Sequence, residues 1–426
     1  MSNPFEVVSV NAITVLDSRG NPTIEVEVET NEGAGVGIAP AGASRGKREA
    51  VDLRDGGRPF GGMGVQKAIE SVRKYIAPAI IGMNSFYFRE VDRAIIQLDG
   101  TPNKSRLGGN ATTATSIAVI NAAANTAGIP LFEFIGGRRA RVLPTPMMNI
   151  INGGAHAGNE LAIQEFMIVP VGADTFFDAM RIAVEVYKQL KSELKTKYGA
   201  GAINVGDEGG FAPPMKETRE ALNALVEAIK GAGYGDEDVM IAIDAAASQF
   251  FESDDGVYKI DGRSLSPDDL VEYYSGLVDE YPIISIEDPF SEDDPSHFAE
   301  LRKKVIGKVL IIGDDLTVTR ASIISEMISE RAIDGAIIKV NQAGTITEAE
   351  EAIEVLHLNN KRAIISHRSG ETEDVTIAHL AVGYGTGLIK TGAPARGERT
   401  AKYNELLRIE AYLGGEAIYL GKKAFF

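Results

Sequence analysis

Ala336-Ile337-Ile338-Lys339-Val340-Asn341 is the stretch on which the fold turns. Four apolar residues surround one lysine, and turn signals bound the run, Asp334-Gly335 before it and Gln342-Ala343-Gly344 after it. A short β-branched run between turns reads as a buried strand of a parallel sheet. Burial of a lysine at the end of such a strand disfavours the charged amine and is expected to lower its pKa. A lone lysine there could equally snorkel to water along its alkyl stem. What separates the two readings is repetition.

Five further runs end in the same way. Ile241-Ala242-Ile243 stops at Asp244, Ile283-Ile284-Ser285-Ile286 at Glu287, and Val309-Leu310-Ile311-Ile312-Gly313 at Asp314. Ala363-Ile364-Ile365-Ser366 stops at His367-Arg368-Ser369, and Gly387-Leu388-Ile389 at Lys390. From Glu287 the polar ends recur at intervals of 27, 25, 28 and 23 residues, close to the ~30 residues of one βα unit. Helical patterns at 321–329 and 348–358 lie between them. Parallel strand ends of a closed (β/α)8-type, TIM-like barrel face a single mouth, where such barrels carry their chemistry. The expected fold is therefore α/β, with that barrel at 138–426.

A small α+β domain is expected ahead of it, at 1–137. Thr23-Ile24-Glu25-Val26-Glu27-Val28-Glu29-Thr30 alternates with the strand period, and Asn31-Glu32-Gly33 turns the chain back, so an antiparallel meander is predicted. Helices are predicted at 65–80, 88–98 and 111–127. The loop Pro40-Ala41-Gly42-Ala43-Ser44-Arg45-Gly46 has the small residues of a mobile segment. The glycine triplets at 33/35/37 and 231/233/235 lack a dinucleotide fingerprint and read as turns.

Composition narrows the function classes. The net charge of −17 over 426 residues argues against nucleic-acid binding. With no cysteine, disulfides and thiolate metal sites are excluded, and any metal has oxygen or histidine ligands. The uncharged stretch from Leu107 to Phe132 carries too many threonines and asparagines for a membrane span and reads as a buried helix. No signal-peptide pattern opens the sequence, so a cytoplasmic protein is expected, with surface or secreted display left open.

Asp244, Glu287 and Asp314 end three different strands and can converge; three ionised carboxylates together call for Mg²⁺ or Mn²⁺. The competing reading pairs them with Lys339 and Lys390 as salt bridges, with three acids for two lysines. Two glycine-rich loops feed the same face: 148–159, with His156, running into Gln164-Glu165, and 204–211, with Glu208. If Glu165 and Glu208 meet, repulsion raises one pKa and makes an acid/base pair.

Gly42-Ala43-Ser44, Asn152-Gly153-Gly154-Ala155-His156-Ala157-Gly158-Asn159, Gly206-Asp207-Glu208-Gly209-Gly210-Phe211-Ala212-Pro213, Ile286-Glu287-Asp288-Pro289, Gly313-Asp314-Asp315-Leu316, Lys339-Val340-Asn341-Gln342, Ser366-His367-Arg368-Ser369-Gly370-Glu371-Thr372 and Lys390-Thr391-Gly392-Ala393-Pro394 together resemble the enolase (phosphopyruvate hydratase) family. The match runs in order over nearly the whole chain. It implies a lyase that reversibly dehydrates 2-phosphoglycerate to phosphoenolpyruvate in glycolysis and gluconeogenesis, with two Mg²⁺ ions per site. By the same resemblance Asp244, Glu287 and Asp314 hold the first ion and Ser44 helps hold the second. Lys339 takes the C2 proton, and Glu208, with Glu165 beside it, protonates the departing hydroxyl. Arg368 and Ser369 hold the phosphate, and His156, Gln164, His367 and Lys390 line the substrate. A homodimer or an octamer of dimers is implied. Ala41 and Arg45 stand where the family often has serine and threonine. Gln249 replaces a common glutamate and is expected behind the site or at the surface. The alternatives are another lyase or racemase of the same superfamily, acting on a non-phosphorylated acid, and a non-catalytic scaffold on this fold.

Overall fold

The computed structural model describes residues 3–42 and 48–426. Ser44 and Arg45, with residues 43–46 of the expected mobile loop, lie outside the described residues.

The chain opens with the predicted meander: β1 (Val7–Leu16), β2 (Pro22–Thr30) and β3 (Ala34–Ile38), antiparallel and in that order. In β2 the alternation is literal. Ile24, Val26 and Val28 are buried, while Glu27 and Glu29 face solvent. The buried face packs on the helix Gly109–Ala127, which is enclosed along most of its length. Among the described residues no single helix is long and apolar enough to cross a membrane.

Two of the glycines read as turn residues do something else. Gly35 and Gly37 lie within β3, where a Cβ would come 2.1 Å from the backbone nitrogen of Ala122 and 2.4 Å from the carbonyl oxygen of Ala114. They let the strand lie directly on the helix backbone. Helix Phe88–Asp99 then joins this region to the barrel, where Asp92 Oδ2 accepts from the backbone N–H (3.0 Å) and hydroxyl (2.7 Å) of Thr347.

After β4 (Val142–Leu143), eight strands close the barrel. They are β5 (Thr145–Asn152), β6 (Glu165–Val169), β7 (Met240–Asp244), β11 (Ile283–Glu287), β12 (Leu310–Gly313), β13 (Gly335–Ile338), β14 (Arg362–Ser366) and β15 (Leu388–Lys390). Strands β8 (Phe251–Glu252), β9 (Val257–Ile260) and β10 (Arg263–Leu265) form a small antiparallel sheet outside it. One barrel strand departs from the all-parallel expectation. β6 runs antiparallel to both β5 and β7. Residues 153–164 between β5 and β6 contain only a one-turn 3₁₀ helix, and without a full crossover helix the chain must return antiparallel. Two helices, Phe176–Tyr198 and Thr218–Gly231, then carry it to β7.

This reversal matters for the site. The other strands present their C-terminal ends at the mouth, whereas β6 presents its first residue, Glu165, which pairs with Asn152 and Asp244. At the opposite end the barrel is plugged by the C-terminal segment. β16 (Ile418–Tyr419) pairs with β4, and Phe425 is buried among Met147, Val169 and Leu388.

Candidate active site

Asp244, Glu287, Ser366 and Lys390 are the last residues of their strands, and Asp314, Lys339 and His367 directly follow theirs. The barrel therefore brings the strand-end groups together, as the repeated pattern predicts. Lys390 Nζ lies 2.9 Å from Asp244 Oδ2, 2.9 Å from each Glu287 oxygen and 3.2 Å from Glu165 Oε2. Lys339 Nζ is in direct contact with Asp314 Oδ2, and Gln342 Nε2 donates to Asp314 Oδ1 at 3.0 Å. All three candidate ligands thus have an amine partner, the arrangement of the competing reading.

Pairing with two lysines does not neutralise the mouth. Asp244, Asp314, Lys339 and Lys390 line a cleft of about 490 Å³ together with Glu165, Glu208, Asp288 and Asp315. Among the described residues its lining holds six carboxylates and three cationic side chains, Lys339, Arg368 and Lys390. Burial and Asp244 push Glu287 well above the ordinary carboxylate range, and burial with Asp315 and Asp314 does the same to Asp288. Asp315 is pushed up to about 7 by burial and Asp314. Oxygen atoms of Asp288, Asp314 and Asp315 lie within 4.8 Å of one another. Buried carboxylates short of positive charge, with oxygen-only donors, fit a hard divalent cation such as Mg²⁺.

The lysine on which the fold reading turned behaves differently from its expectation. Burial, the largest single influence, pulls the Lys339 amine down, but the carboxylates around it, Asp314 foremost and Glu287 with it, together hold its pKa above the ordinary lysine value. Lys390 is raised further still: burial works against it, and Asp244, Glu165 and Glu287 overcome burial. In both cases contact at hydrogen-bond distance outweighs desolvation.

The second half of the cleft is built on the loops. His156, Glu165 and Glu208 offer ligand atoms within 4.8 Å of one another, with His156 Nδ1 3.6 Å from Glu165 and 3.7 Å from Glu208. Burial and then Glu208 push Glu165 well up. Burial would raise Glu208 too, but His367, His156 and Arg399 hold it well below the usual range. The carboxylates therefore form the expected unequal pair, with the proton on Glu165. Asn149 Nδ2 fixes Glu208 by donating to Oε2 at 3.0 Å.

Arg399, fully buried in helix Gly397–Leu413, organises this half and carries no signal in the sequence. It donates to the carbonyls of Arg368 and Ser369 at 2.6 Å each and to that of Asp207 at 3.0 Å. It also lies 2.6 Å from His367 Nδ1. A guanidinium only donates, so Nδ1 is the acceptor and Nε2 carries the proton, facing Glu208 Oε1 at 3.4 Å. Burial lowers the His367 pKa to about 4, so the ring is neutral near pH 7. Glu49, also missed, meets Arg368 Nη1 at 2.9 Å from the first domain. Arg368 and Ser369 line the cleft beside Gln164. Gln249, exposed, reaches its rim and donates to Gln164 Oε1 at 2.6 Å.

Two family models cover the chain: "Enolase, N-terminal domain" matches residues 7–135 and "Enolase, C-terminal TIM barrel domain" matches residues 140–426. Proteins named enolase are similar to it end to end. That of Thermococcus kodakarensis is 53% identical over 425 residues, 99% of each chain. That of Methanocaldococcus jannaschii is 54% identical over 415 residues, 97% of each. That of Aeropyrum pernix is 52% identical over 421 residues, 98% of this chain and 97% of the relative.

Proposed function

The chain belongs to the enolase family, and from that membership and the geometry of the cleft we propose that it interconverts 2-phospho-D-glycerate and phosphoenolpyruvate by reversible loss of water, serving glycolysis and gluconeogenesis. The observation that carries the reading is the convergence, in one buried cleft, of a strand-end amine, a proton-sharing carboxylate pair and a cluster of carboxylates in excess of their cations.

The chemical difficulty is the C2 proton. It lies beside a carboxylate, and removing it adds negative charge to a group that is already anionic. Two Mg²⁺ ions, the first held by Asp244, Glu287 and Asp314 and the second with help from Ser44, would supply the positive charge that stabilises this build-up. Mn²⁺, which has the same preference for oxygen donors, would substitute.

Lys339 is the base. It takes the C2 proton on Nζ and must first be neutral, which its contact with Asp314 opposes. Asp314 would hold the cation through the same oxygens, which would relieve that opposition, and the positive charge of Lys390 acts in the same direction. The proton held on Glu165 passes to Glu208, which delivers it to the departing C3 hydroxyl, general acid catalysis by a pair whose members titrate apart. Neutral His367, with Nε2–H toward Glu208, keeps that carboxylate oriented. Arg368 and Ser369 take the phosphate, for which the guanidinium offers two parallel donors. His156, Gln164 and Lys390 complete the substrate lining.

The chain divides, in this reading, into a capping domain at 1–137 and a catalytic barrel at 138–426. It works in the cytoplasm as a homodimer or an octamer of dimers. A superfamily lyase or racemase has no need of a phosphate site, and Arg368 and Ser369 at the cleft count against one. Absorbance of phosphoenolpyruvate formed from 2-phosphoglycerate, with and without Mg²⁺, tests the assignment. Absence of a Mg²⁺-dependent product would refute it.

A further inference from the structure

We infer that Glu49 is a positioning residue: from the first domain it orients the Arg368 guanidinium for the phosphate group that the proposed function assigns to that arginine. Glu49 and Arg368 are both buried and meet where the first domain packs on the barrel. Glu49 Oε2 accepts from Arg368 Nη1 at 2.9 Å, and Oε1 accepts from Nη2 at 3.3 Å. Two parallel bonds of this kind define the plane of a guanidinium as well as its position. Asn341 Oδ1 accepts from the same Nη1 at 3.1 Å. Burial opposes the charge of Arg368, and Glu49 is foremost among the carboxylates that sustain it.

Glu49 is itself held from three directions by the barrel. On one side, the carbonyl of Arg48 accepts from Arg320 Nε at 3.0 Å and Nη2 at 2.7 Å. On the other, the backbone N–H of Ala50 donates to the carbonyl of Gln342 at 2.9 Å. The carboxylate itself accepts from Gln342 Nε2 at 3.3 Å. That amide cannot turn over, because Nε2 also donates to Asp314 Oδ1 at 3.0 Å, and carboxylates only accept. Its other end, Oε1, accepts from the Thr319 hydroxyl at 2.7 Å. An ion pair that merely joined the two regions would need none of this placement; Arg89, which pairs with Glu350 away from the cleft, is half exposed. An arginine side chain has much rotamer freedom, and ordering it before the substrate arrives reduces what binding must supply. The effect is transmitted through Arg368.

Glu49→Ala tests this. Phosphoglycolate, a non-reacting acid that carries the phosphate, should bind about tenfold more weakly in calorimetry at fixed Mg²⁺, the scale of ordering one long side chain. KM for 2-phosphoglycerate should rise in parallel, with kcat changed by less than about threefold. Mg²⁺ titrated alone should bind within about twofold of wild type, whereas a general loosening of the cleft would weaken both ligands. Glu49→Gln keeps the shape and one acceptor and should weaken phosphoglycolate by about threefold, so the sign is read even where the alanine variant does not fold. Arg89→Ala, which loosens the same packing away from the cleft, should leave phosphoglycolate within about twofold. Unchanged or tighter phosphoglycolate binding in the Glu49 variants would overturn the inference, the tighter result meaning that Glu49 competes with the phosphate. Equal weakening of Mg²⁺, or an equal loss in Arg89→Ala, would overturn it too. A wild-type chain without Mg²⁺-dependent turnover would instead refute the proposed function, and the phosphoglycolate comparison would still report on Arg368.

Discussion

Lys339 and Asp314 form a direct ion pair across the ends of two neighbouring barrel strands. The pair joins the proposed base to a proposed metal ligand, so the state of one sets the state of the other. Burial favours the neutral amine, Asp314 and Glu287 favour the charged one, and the carboxylates together prevail. Mg²⁺ should therefore lower the Lys339 pKa, visible as a fall in the apparent pKa of the ¹³Cε resonance of labelled lysine on titration. Asp314→Asn should weaken Mg²⁺ binding by about 100-fold or more in calorimetry, beyond the 10- to 100-fold typical of groups one step behind a metal.

Glu165 holds the proton of the carboxylate pair because burial and Glu208 raise it, while His367, His156 and Arg399 keep Glu208 ionised against its own burial. Glu165→Gln leaves Glu208 without its proton source. Dehydration should fall by about 10²–10⁴-fold, the usual contribution of general acid catalysis. Stopped-flow formation of phosphoenolpyruvate measures it.

His367 predicts the acid side of the stability profile. Its folded pKa is about 4 against an ordinary 6.5, so the folded state binds fewer protons between those values. Stability contributed by the neutral ring is present above pH 6.5 and is lost as pH falls toward 4, by up to roughly 3 kcal/mol. In His367→Gln this component of the pH dependence should vanish from denaturant unfolding curves measured across that window.

Gly35 and Gly37 predict a steric effect with no chemistry in it. Ala at either position puts a methyl group into the backbone of helix Gly109–Ala127. Each substitution should destabilise the chain by about 3 kcal/mol, the upper end for overpacking. Thermal unfolding reads this directly, and Gly56→Ala, where a Cβ meets nothing within 4 Å but φ is +72°, should cost less.

The barrel was legible because its chemistry is local to each strand: Asp244, Glu287, Asp314, Lys339, His367 and Lys390 each end an apolar run, and closure brings them together. The direction of β6 was not read, although the short 153–164 connection held the clue, because polarity patterns look the same in either direction. Gly35 and Gly37 were misread since close approach to a helix 80 residues away leaves no local mark. Arg399 and Glu49 act through long-range contacts that no local pattern marks, and Asn149, though inside the 148–159 stretch read as feeding the mouth, shows its hold on Glu208 only in the fold. The sign of the Lys339 shift depended on a distance to Asp314, which composition does not contain.

The central claim is the division of labour between Lys339 and Glu208, and exchange of the C2 proton of 2-phosphoglycerate with deuterated solvent tests it most directly. Followed by proton NMR in the presence of Mg²⁺, Glu208→Gln should still exchange C2 while forming no phosphoenolpyruvate, and Lys339→Ala should do neither. Exchange that persists in Lys339→Ala, or disappears in a folded Glu208→Gln, would contradict the account.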